Sequence, residues 1–341
     1  MPGMSQPLRV ALLGYGLAGS VFHAPYIAAA DGLELAAVTT RDPERRRSAE
    51  ETYPGVLVLD SPENVFERAG DFDLVVVATP NRLHVPNALA AFKAGLPVVV
   101  DKPLTPTADE ARRLVDAADK SGLMLTVFQN RRWDGDFLTV RQLVGKGALG
   151  TVHRFESRID RWRPRLTGAW REQATEAGGL LLDLGTHLVD QALQLFGPAE
   201  VVHAEIDRRR GGAEVEDDVF LALEHESGER SHLWMSLVAA EPGPRFRVLG
   251  DRAAYVKHGE DAQEAALRAG RTPRDPAWGE EPPEAWGLLG AEEMRPFPTV
   301  PGDYTAFYDG VARALREGGP SPVDPADAVR VLELLEAARL A

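Results

Sequence analysis

The sequence LRVALLGYGLAG, residues 8–19, gives the clearest indication of the fold. Its apolar first half is typical of a central parallel strand that is buried on both faces. Gly14, Gly16 and Gly19 have the G-x-G-x-x-G spacing, in which the first glycine permits a tight turn, the second admits a pyrophosphate and the third packs a helix on the strand. The helix predicted over residues 21–30 would direct its N-terminus at that phosphate. Because a chain with 32 glycines also produces this spacing by chance, the flanking pattern carries the prediction.

Strands and helices alternate through residues 8–128. Each further strand is short and apolar, which is the pattern of a doubly wound parallel sheet. The later strands are predicted at residues 33–40, 73–79, 96–100 and 123–128, and helices begin near residue 44 and cover 85–94 and 107–121. We therefore predict an α/β fold with a nucleotide-binding domain over residues 1–128.

The pattern changes after residue 129. Residues 150–162 alternate as a half-solvated strand of antiparallel type, and residues 258–301, rich in proline and acids, are predicted to be irregular. Further strands are predicted at 199–207, 218–224, 230–236 and 245–249, with helices at 137–146, 178–197, 304–317 and 325–340. We predict a second domain of α+β type over residues 129–341, with the final helices available to pack on the first domain.

Charge and composition argue against several classes of function. A net charge of −14 disfavours general binding of nucleic acid or acidic membranes. Without cysteine there is no disulfide or thiolate site, and the eight histidines include no metal-ligand spacing such as H-E-x-x-H. The N-terminus lacks signal-peptide features, and no apolar run approaches the ~20 residues of a membrane span. We therefore expect a cytoplasmic protein with no metal, nucleic-acid or membrane partner.

The end of the second predicted strand indicates which dinucleotide is bound. In NAD-binding folds an acidic residue there holds the ribose 2′-hydroxyl, whereas a neutral residue with arginine nearby suits the 2′-phosphate of NADP. Thr40 and Arg41 end this strand and three arginines follow at residues 45–47, which favours NADP(H) and leaves NAD(H) as the second choice. Asp42 is the alternative acid if the turn is one residue longer, and the arginines would then form a solvated helix face.

Polar residues follow two later strands, at the ends where open α/β sheets place their ligands. Asn81 alternatively caps the next helix, and His84 alternatively packs in the core. A lysine beside a proline-stiffened turn directs a cation into the cleft rather than into bulk water. These candidates are Thr79, Pro80, Asn81 and His84 after one strand, and Asp101 and Lys102 after the next.

An Asp–His pair lies on the apolar helix predicted over residues 178–197. Asp183 and His187 are four residues apart, so they share one helical face. An ionisable pair on an apolar helix is hydrogen-bonded, charge-paired or placed in a cleft, and a self-satisfied core pair is the structural alternative. Asp190 is expected to be structural.

Together with Lys102, the pair suits the oxidation of an alcohol. Histidine titrates near working pH, so His187 is the candidate base for the hydroxyl proton. Asp183 would orient the imidazole and stabilise its cation, and Lys102 would stabilise alkoxide character on the same oxygen. The hydride itself belongs to the cofactor.

Longer strings in the chain resemble a known family. GYGLAGSVFHAP, the turn Asp101-Lys102-Pro103 and GGLLLDLGTH occur in this order, as in the Gfo/Idh/MocA family, the glucose-fructose oxidoreductase and inositol dehydrogenase group. SVFHAP, NRRWDGDFLTV, AWRE and EDAQEAALRAGRTP resemble its NADP-dependent scyllo-inositol dehydrogenase branch. The resemblance covers essentially the whole chain. It implies an N-terminal Rossmann domain and a C-terminal α/β domain whose open, mainly antiparallel sheet often mediates homodimers or homotetramers.

The resemblance also implies site residues. Lys102, Asp183 and His187 match catalytic positions, while Asn130 and Arg131 would face substrate, with Trp133 and Trp162 either stacking on a sugar or simply packing. Asp101 stands where the family has glutamate, which puts in doubt the contact that the longer side chain makes. The residues implied to line the cofactor are Gly14, Tyr15, Gly16, Leu17, Ala18, Gly19, Thr40, Arg41, Thr79, Pro80, Asn81, His84, Asp101, Lys102, Trp170 and Arg171.

The sequence thus predicts an NADP(H)-dependent oxidoreductase. Its substrate would be a secondary alcohol or ketone of a polyol, an inositol or a sugar. The alternative is a dinucleotide-binding sensor of the same fold without catalysis, and the joint presence of Lys102, Asp183 and His187 weighs against it.

Overall fold

The computed structural model describes residues 6–341 and resolves them into two compact units. The first contains the chain up to Asn130 with residues 264–278 and 304–329. The second contains residues 131–263, 279–303 and 330–341. Because each unit combines separate stretches of chain, the division between residues 128 and 129 stays a prediction about domains.

The first unit is built on a six-stranded sheet whose pairings are all parallel. Its strand order, β3-β2-β1-β4-β5-β6, is that of a dinucleotide-binding fold, so the predicted doubly wound sheet is confirmed. The strands are β1 (Leu8–Leu13), β2 (Leu33–Thr39), β3 (Leu57–Leu59), β4 (Leu74–Val77), β5 (Val98–Asp101) and β6 (Leu125–Phe128). The helices are α1 (Ala24–Ala29), α2 (Pro43–Thr52), α3 (Pro62–Phe66), α4 (His84–Lys93) and α5 (Ala108–Ser121).

The strands β1, β4 and β5 form the core of this sheet. Every residue of β4 is fully buried, as is β1 from Val10 onwards, because helices cover both faces of a parallel sheet. Later segments of the chain join this core: Phe307 lies 5.0 Å from Phe128, ring centre to ring centre, and Thr126 Oγ1 donates to Val323 O at 2.7 Å.

The second unit is built on an eight-stranded sheet of order β14-β13-β12-β11-β7-β10-β9-β8. Its strands are β7 (Val152–Asp160), β8 (Ala199–Asp207), β9 (Asp218–His225), β10 (Arg230–Ser236), β11 (Phe246–Gly250), β12 (Ala254–Lys257), β13 (Gly287–Gly290) and β14 (Met294–Phe297). The remaining helices of the chain are α6 (Gly135–Gly145), α7 (Thr186–Phe196), α8 (Gln263–Arg268), α9 (Thr305–Glu317) and α10 (Pro325–Ala338). The mainly antiparallel sheet is therefore confirmed.

Two sequence-based expectations for this sheet need correction. β7 is central, and it pairs antiparallel with β11, as predicted, but in parallel with β10. Residues 258–301 are not irregular throughout, because they contain α8 and the hairpin of β13 and β14. The hairpin sequence GLLG…MRPF carries little strand signal of its own. It becomes a strand pair because β12 offers β13 its hydrogen-bonding edge.

No helix within residues 6–341 is long and apolar enough to cross a membrane.

Candidate active site

The three positions of the turn after β1 are occupied by glycine for different physical reasons. Gly14 has a φ of +96°, and a Cβ there would lie 2.6 Å from Ala78 O. A Cβ on Gly19 would collide with the carbonyl oxygen of Gly14. On Gly16 a Cβ would meet only Arg45 Nη1, at 3.7 Å. Packing within the chain therefore demands the first and third glycines, whereas the second borders open space, as the approach of a pyrophosphate requires.

The other turn residues differ in their accessibility. Tyr15 is buried: its amide donates to Thr39 O at 3.1 Å, and burial raises the pKa of its phenol. Leu17 is 46% exposed and Ala18 begins a π-helical turn, Ala18–His23, that leads into α1. The backbone around Leu17 and Ala18 is consequently the part of the turn most open to a ligand.

The structure at the end of β2 bears on the two interpretations of Asp42 and of the arginines that follow it. Asp42 caps α2, because its Oδ1 accepts from Glu44 N at 2.9 Å and Arg45 N at 3.1 Å. The bond from Arg45 N, with that from Glu44 N, lowers the pKa of the Asp42 carboxyl. A carboxylate held by a helix N-terminus has a structural role, and Asp42 has that role at the start of α2.

Of the four arginines near this end, Arg45 lies against the glycine turn. Arg41 is exposed, in the electrostatic vicinity of Glu63. Arg46 is held elsewhere, donating to Val58 O at 3.1 Å and to Asp60. The sequence could not single out Arg45, because which face of α2 meets the turn depends on how the helix packs.

His84 joins the loops that follow β4 and β5. Its Nε2 lies 2.9 Å from Thr79 O and its Nδ1 2.8 Å from Pro103 O. Burial lowers the pKa of His84, although Asp101 and the two carbonyls act in the opposite direction. Asn81 is buried in a short turn, Asn81–Leu83, after Pro80, and α4 begins after Leu83 without a side-chain cap. The role of Asn81 toward the cofactor stays a prediction.

Lys102 follows β5 directly, on a backbone that Asp101 organises. The Lys102 amide donates to Asp101 Oδ1 at 2.8 Å. The same oxygen lies 3.6 Å from Nε2 of the fully buried His23, whose Nδ1 lies 2.6 Å from the Tyr308 hydroxyl. Burial raises the pKa of Asp101, but His23 and Lys102 outweigh it and hold that pKa below its ordinary value. His23 is a residue that sequence reasoning missed; its signal was a histidine inside an otherwise apolar segment.

Asp183 and His187 lie where a π-helical turn, Leu181–Gly185, continues into α7. Such turns are frequent at functional sites. The side chain of Asp183 is 30% exposed and lies 3.6 Å from Arg171 Nε, and His187 is only 4% exposed. The start of the turn is held by Glu216, whose backbone oxygen accepts from Leu180 N at 3.1 Å and whose carboxylate accepts from Leu181 N at 3.2 Å.

The middle of α7 is anchored by buried polar contacts. Arg132 donates to both carboxylate oxygens of Asp190, at 2.8 and 2.6 Å, as expected for a structural aspartate. The Gln191 amide donates to Arg131 O at 2.8 Å and accepts from Arg245 Nη2 at 2.9 Å. These contacts fix the rotation of α7 and hence where His187 points.

The remaining candidates have distinct surroundings. Arg131 is buried and its guanidinium lies 3.1 Å from Asp134 and 3.4 Å from Glu260, while Asn130 is also buried. Arg171 lies over the ring of Trp170, 4.5 Å from its centre. Trp162 is 58% exposed and Trp133 partly buried. Their roles toward cofactor and substrate stay predictions.

We expect Asp261 to make the stability of the second unit depend on pH. It accepts from Gly135 N at 2.7 Å and Gln263 N at 2.8 Å, yet burial, reinforced by Asp134, raises its pKa to about 7. An unfolded aspartate titrates near pH 3.9, so the folded protein binds the extra proton between those values. The free energy of unfolding should therefore fall as pH rises from about 4 to 7, by at most about 4 kcal/mol from this group.

Asp261→Asn should remove this dependence, because asparagine is neutral throughout. Urea unfolding at several pH values between 5 and 8 measures it: relative to the parent, the variant should gain stability as pH rises. Asp119→Asn, at an exposed position, is the control and should follow the parent. Parallel curves for the parent and Asp261→Asn would show that Asp261 does not titrate in this range.

Two family descriptions match the chain. "Oxidoreductase family, NAD-binding Rossmann fold" matches residues 8–129, and "Oxidoreductase family, C-terminal alpha/beta domain" of the same Gfo/Idh/MocA family matches residues 141–341. Together they cover most of the chain.

Individual similar proteins are also named as dehydrogenases or oxidoreductases. The scyllo-inositol 2-dehydrogenase (NADP(+)) IolW of Bacillus subtilis is 37% identical over 336 residues, covering 97% of this chain and 92% of that protein. The D-glucoside 3-dehydrogenase of Escherichia coli is 32% identical over 194 residues, 57% of this chain and 55% of that protein. The solved structure of yvaA from Bacillus subtilis has a TM-score of 0.92 and 36% identity, covering 98% of this chain and 96% of that one.

Proposed function

Because this chain belongs to the Gfo/Idh/MocA family of NAD(P)-dependent oxidoreductases, we propose that it transfers hydride between NADP(H) and a secondary alcohol or ketone of a polyol, inositol or sugar. The observation that carries the proposal is the set of Lys102, Asp183 and His187. Lys102 stands at the carboxyl end of β5, and Asp183 and His187 stand on a π-helical turn and the helix after it. A protein that only sensed a dinucleotide would not need them.

Each of these residues has a separate task. His187 takes the hydroxyl proton when the alcohol is oxidised and returns it when the ketone is reduced. Asp183 favours the cationic imidazole, and Lys102 stabilises negative charge on the substrate oxygen. When bound, the nicotinamide supplies or accepts the hydride.

The chain's residues fit a dinucleotide. Gly16, Leu17 and Ala18 offer open backbone to a pyrophosphate, and Thr40 with Arg41 and Arg45 would hold the ribose end. The other residues proposed to bind it are Gly14, Tyr15, Gly19, Thr79, Pro80, Asn81, His84, Asp101, Lys102, Trp170 and Arg171.

A preference for NADP is supported by the capping role of Asp42 and by the place of Arg45 beside the glycine turn. We expect Arg45→Gln to raise the KM for NADP roughly 10- to 100-fold, since it removes a charge-assisted bond to the 2′-phosphate. The KM for NAD should stay near its parental value. Arg41→Ala should act in the same direction, and initial rates with each cofactor measure both.

Arg47→Gln is the matched control, because Arg47 is an exposed arginine of the same helix. If Arg45→Gln raised the KM for NAD and the KM for NADP equally, Arg45 would contact a part of the cofactor that both molecules share. The proposal that Arg45 binds the 2′-phosphate would then be wrong.

The proposal as a whole is tested by initial rates on scyllo-inositol, myo-inositol, glucose and xylose, each with NADP and with NAD. Absorbance of the reduced nicotinamide reports turnover. Oxidation of an inositol or sugar with NADP supports the proposal. Binding of NADPH without turnover of any hydroxyl compound would favour the sensor instead.

A further inference from the structure

Three arginines alternate along the chain that follows β7, in the sequence RWRPR. Arg161 N donates to Ser236 O at 2.8 Å and Arg163 N to Leu237 O at 2.7 Å, so this segment is extended. Alternate residues of an extended chain point to one side. Arg161, Arg163 and Arg165 accordingly line the same cavity of the second unit, of about 150 Å³.

We call this cavity the arginine pocket; Arg171, Arg210 and Asp183 also line it. Most of its charges are compensated within the chain. The compensating pairs are Arg161 with Glu260 at 3.1 Å, Arg171 with Asp183 at 3.6 Å, Arg210 with Asp217 at 2.8 Å and with Glu172 at 2.9 Å, and Glu216 with Arg339 at 3.0 Å.

Arg163 and Arg165 are the exception. Among residues 6–341, neither guanidinium has a carboxylate within 4.0 Å. Because Arg210 faces two carboxylates, the charges of the pocket and of its partners sum to one positive charge in excess, although the chain as a whole carries −14. In so acidic a protein, which repels anions at long range, a local surplus of this kind favours an anionic ligand.

The guanidinium groups of Arg163 and Arg165 indicate the chemical class of the ligand. The planar guanidinium fork matches the oxygens of a carboxylate or a phosphate ester. Asp183, a candidate catalytic residue, lines the same pocket, so a group held by Arg163 and Arg165 would lie in a cavity that Asp183 also borders.

We propose that the arginine pocket binds an anionic substituent of the substrate, which makes the preferred substrate a sugar acid or sugar phosphate rather than a neutral polyol. This inference rests on the proposed function, and it narrows the substrate class beyond the inositols and glucosides named for the relatives. The phosphates of the cofactor are also anions that a guanidinium binds. The experiment must therefore distinguish the substrate from the cofactor as the molecule that the arginine pocket binds.

The experiment compares matched substrates that differ in charge: glucose, glucuronate and glucose 6-phosphate, and galactose with galacturonate, each with saturating NADP. We expect kcat/KM for the better acidic partner to exceed that of its neutral partner at least roughly 10-fold, the effect of one charge-assisted hydrogen bond. Neutral partners that are turned over as well as acidic ones would overturn the inference while leaving the proposed function intact.

Arg163→Gln and Arg165→Gln should each lower the acidic-to-neutral ratio of kcat/KM roughly 10- to 100-fold, mainly through KM. Arg208→Gln is the matched control, since Arg208 is an exposed arginine of the same unit outside the pocket. The KM for NADP should stay at its parental value in all three. A raised KM for NADP with an unchanged ratio would assign the pocket to the cofactor and overturn the inference.

If no substrate in the panel is turned over, that outcome counts against the proposed function. A direct binding measurement then still tests the inference about the arginine pocket. Titration calorimetry of glucuronate and of glucose into the full chain, at constant ionic strength, then measures the pocket alone. Tighter binding of glucuronate that Arg163→Gln abolishes supports the anion site. Equal binding of the two sugars overturns it.

Discussion

Replacing Lys102 with methionine is expected to lower kcat about 10²- to 10⁴-fold while the dissociation constant of NADPH stays near its parental value. Methionine preserves most of the apolar stem and removes the ammonium. The alkoxide that forms during oxidation would then lose its fixed positive partner at the carboxyl end of β5. A group that acts on charge developing in the transition state lowers kcat rather than ground-state binding.

Two measurements separate these effects: steady-state rates on the best substrate and fluorescence titration of NADPH. Lys93→Met is the matched control, since Lys93 is an exposed lysine in the last turn of α4. Unchanged kcat in Lys102→Met would remove Lys102 from the mechanism. A loss of NADPH affinity as large as the loss of kcat would assign it to cofactor binding instead.

His187→Asn is expected to lower kcat by a similar factor, about 10²- to 10⁴-fold, the usual range for loss of a general base. A base must be neutral to accept the hydroxyl proton. In the parent protein the rate of alcohol oxidation should therefore rise with pH as His187 loses its proton. Asparagine cannot titrate, so the variant should lose this limb of the pH profile as well as most of its rate.

The pH profile distinguishes a base from a packing residue, because a merely structural histidine would lower the rate without removing the limb. His153→Asn, at an exposed position on β7, is the control and should keep the parental profile. Asp183→Asn should retain the limb but displace it, since the residue acts on the charged form of its neighbours. A variant of His187 that kept both rate and profile would exclude it as the base.

The glycine turn and the parallel sheet were predictable because their causes are local. A strand buried on both faces must be apolar along its length, and a turn that brings a helix back onto its strand needs glycine where a Cβ would collide. At Gly14 and Gly19 those collisions are with backbone oxygens, which no rotamer change can relieve. The spacing of Asp183 and His187 likewise belongs to one short segment.

The other features of the fold and of the site depend on contacts between residues that are distant along the chain. β13 and β14 are strands because β12 supplies a free edge, and β7 pairs in parallel with β10 although 69 residues separate the end of one from the start of the other. Asp42 caps a helix because α2 places two amides beside its carboxylate. The sequence therefore determined the chemistry available at each strand end. Only the tertiary structure decided which charges meet, because pairing depends on distances between residues that are far apart along the chain.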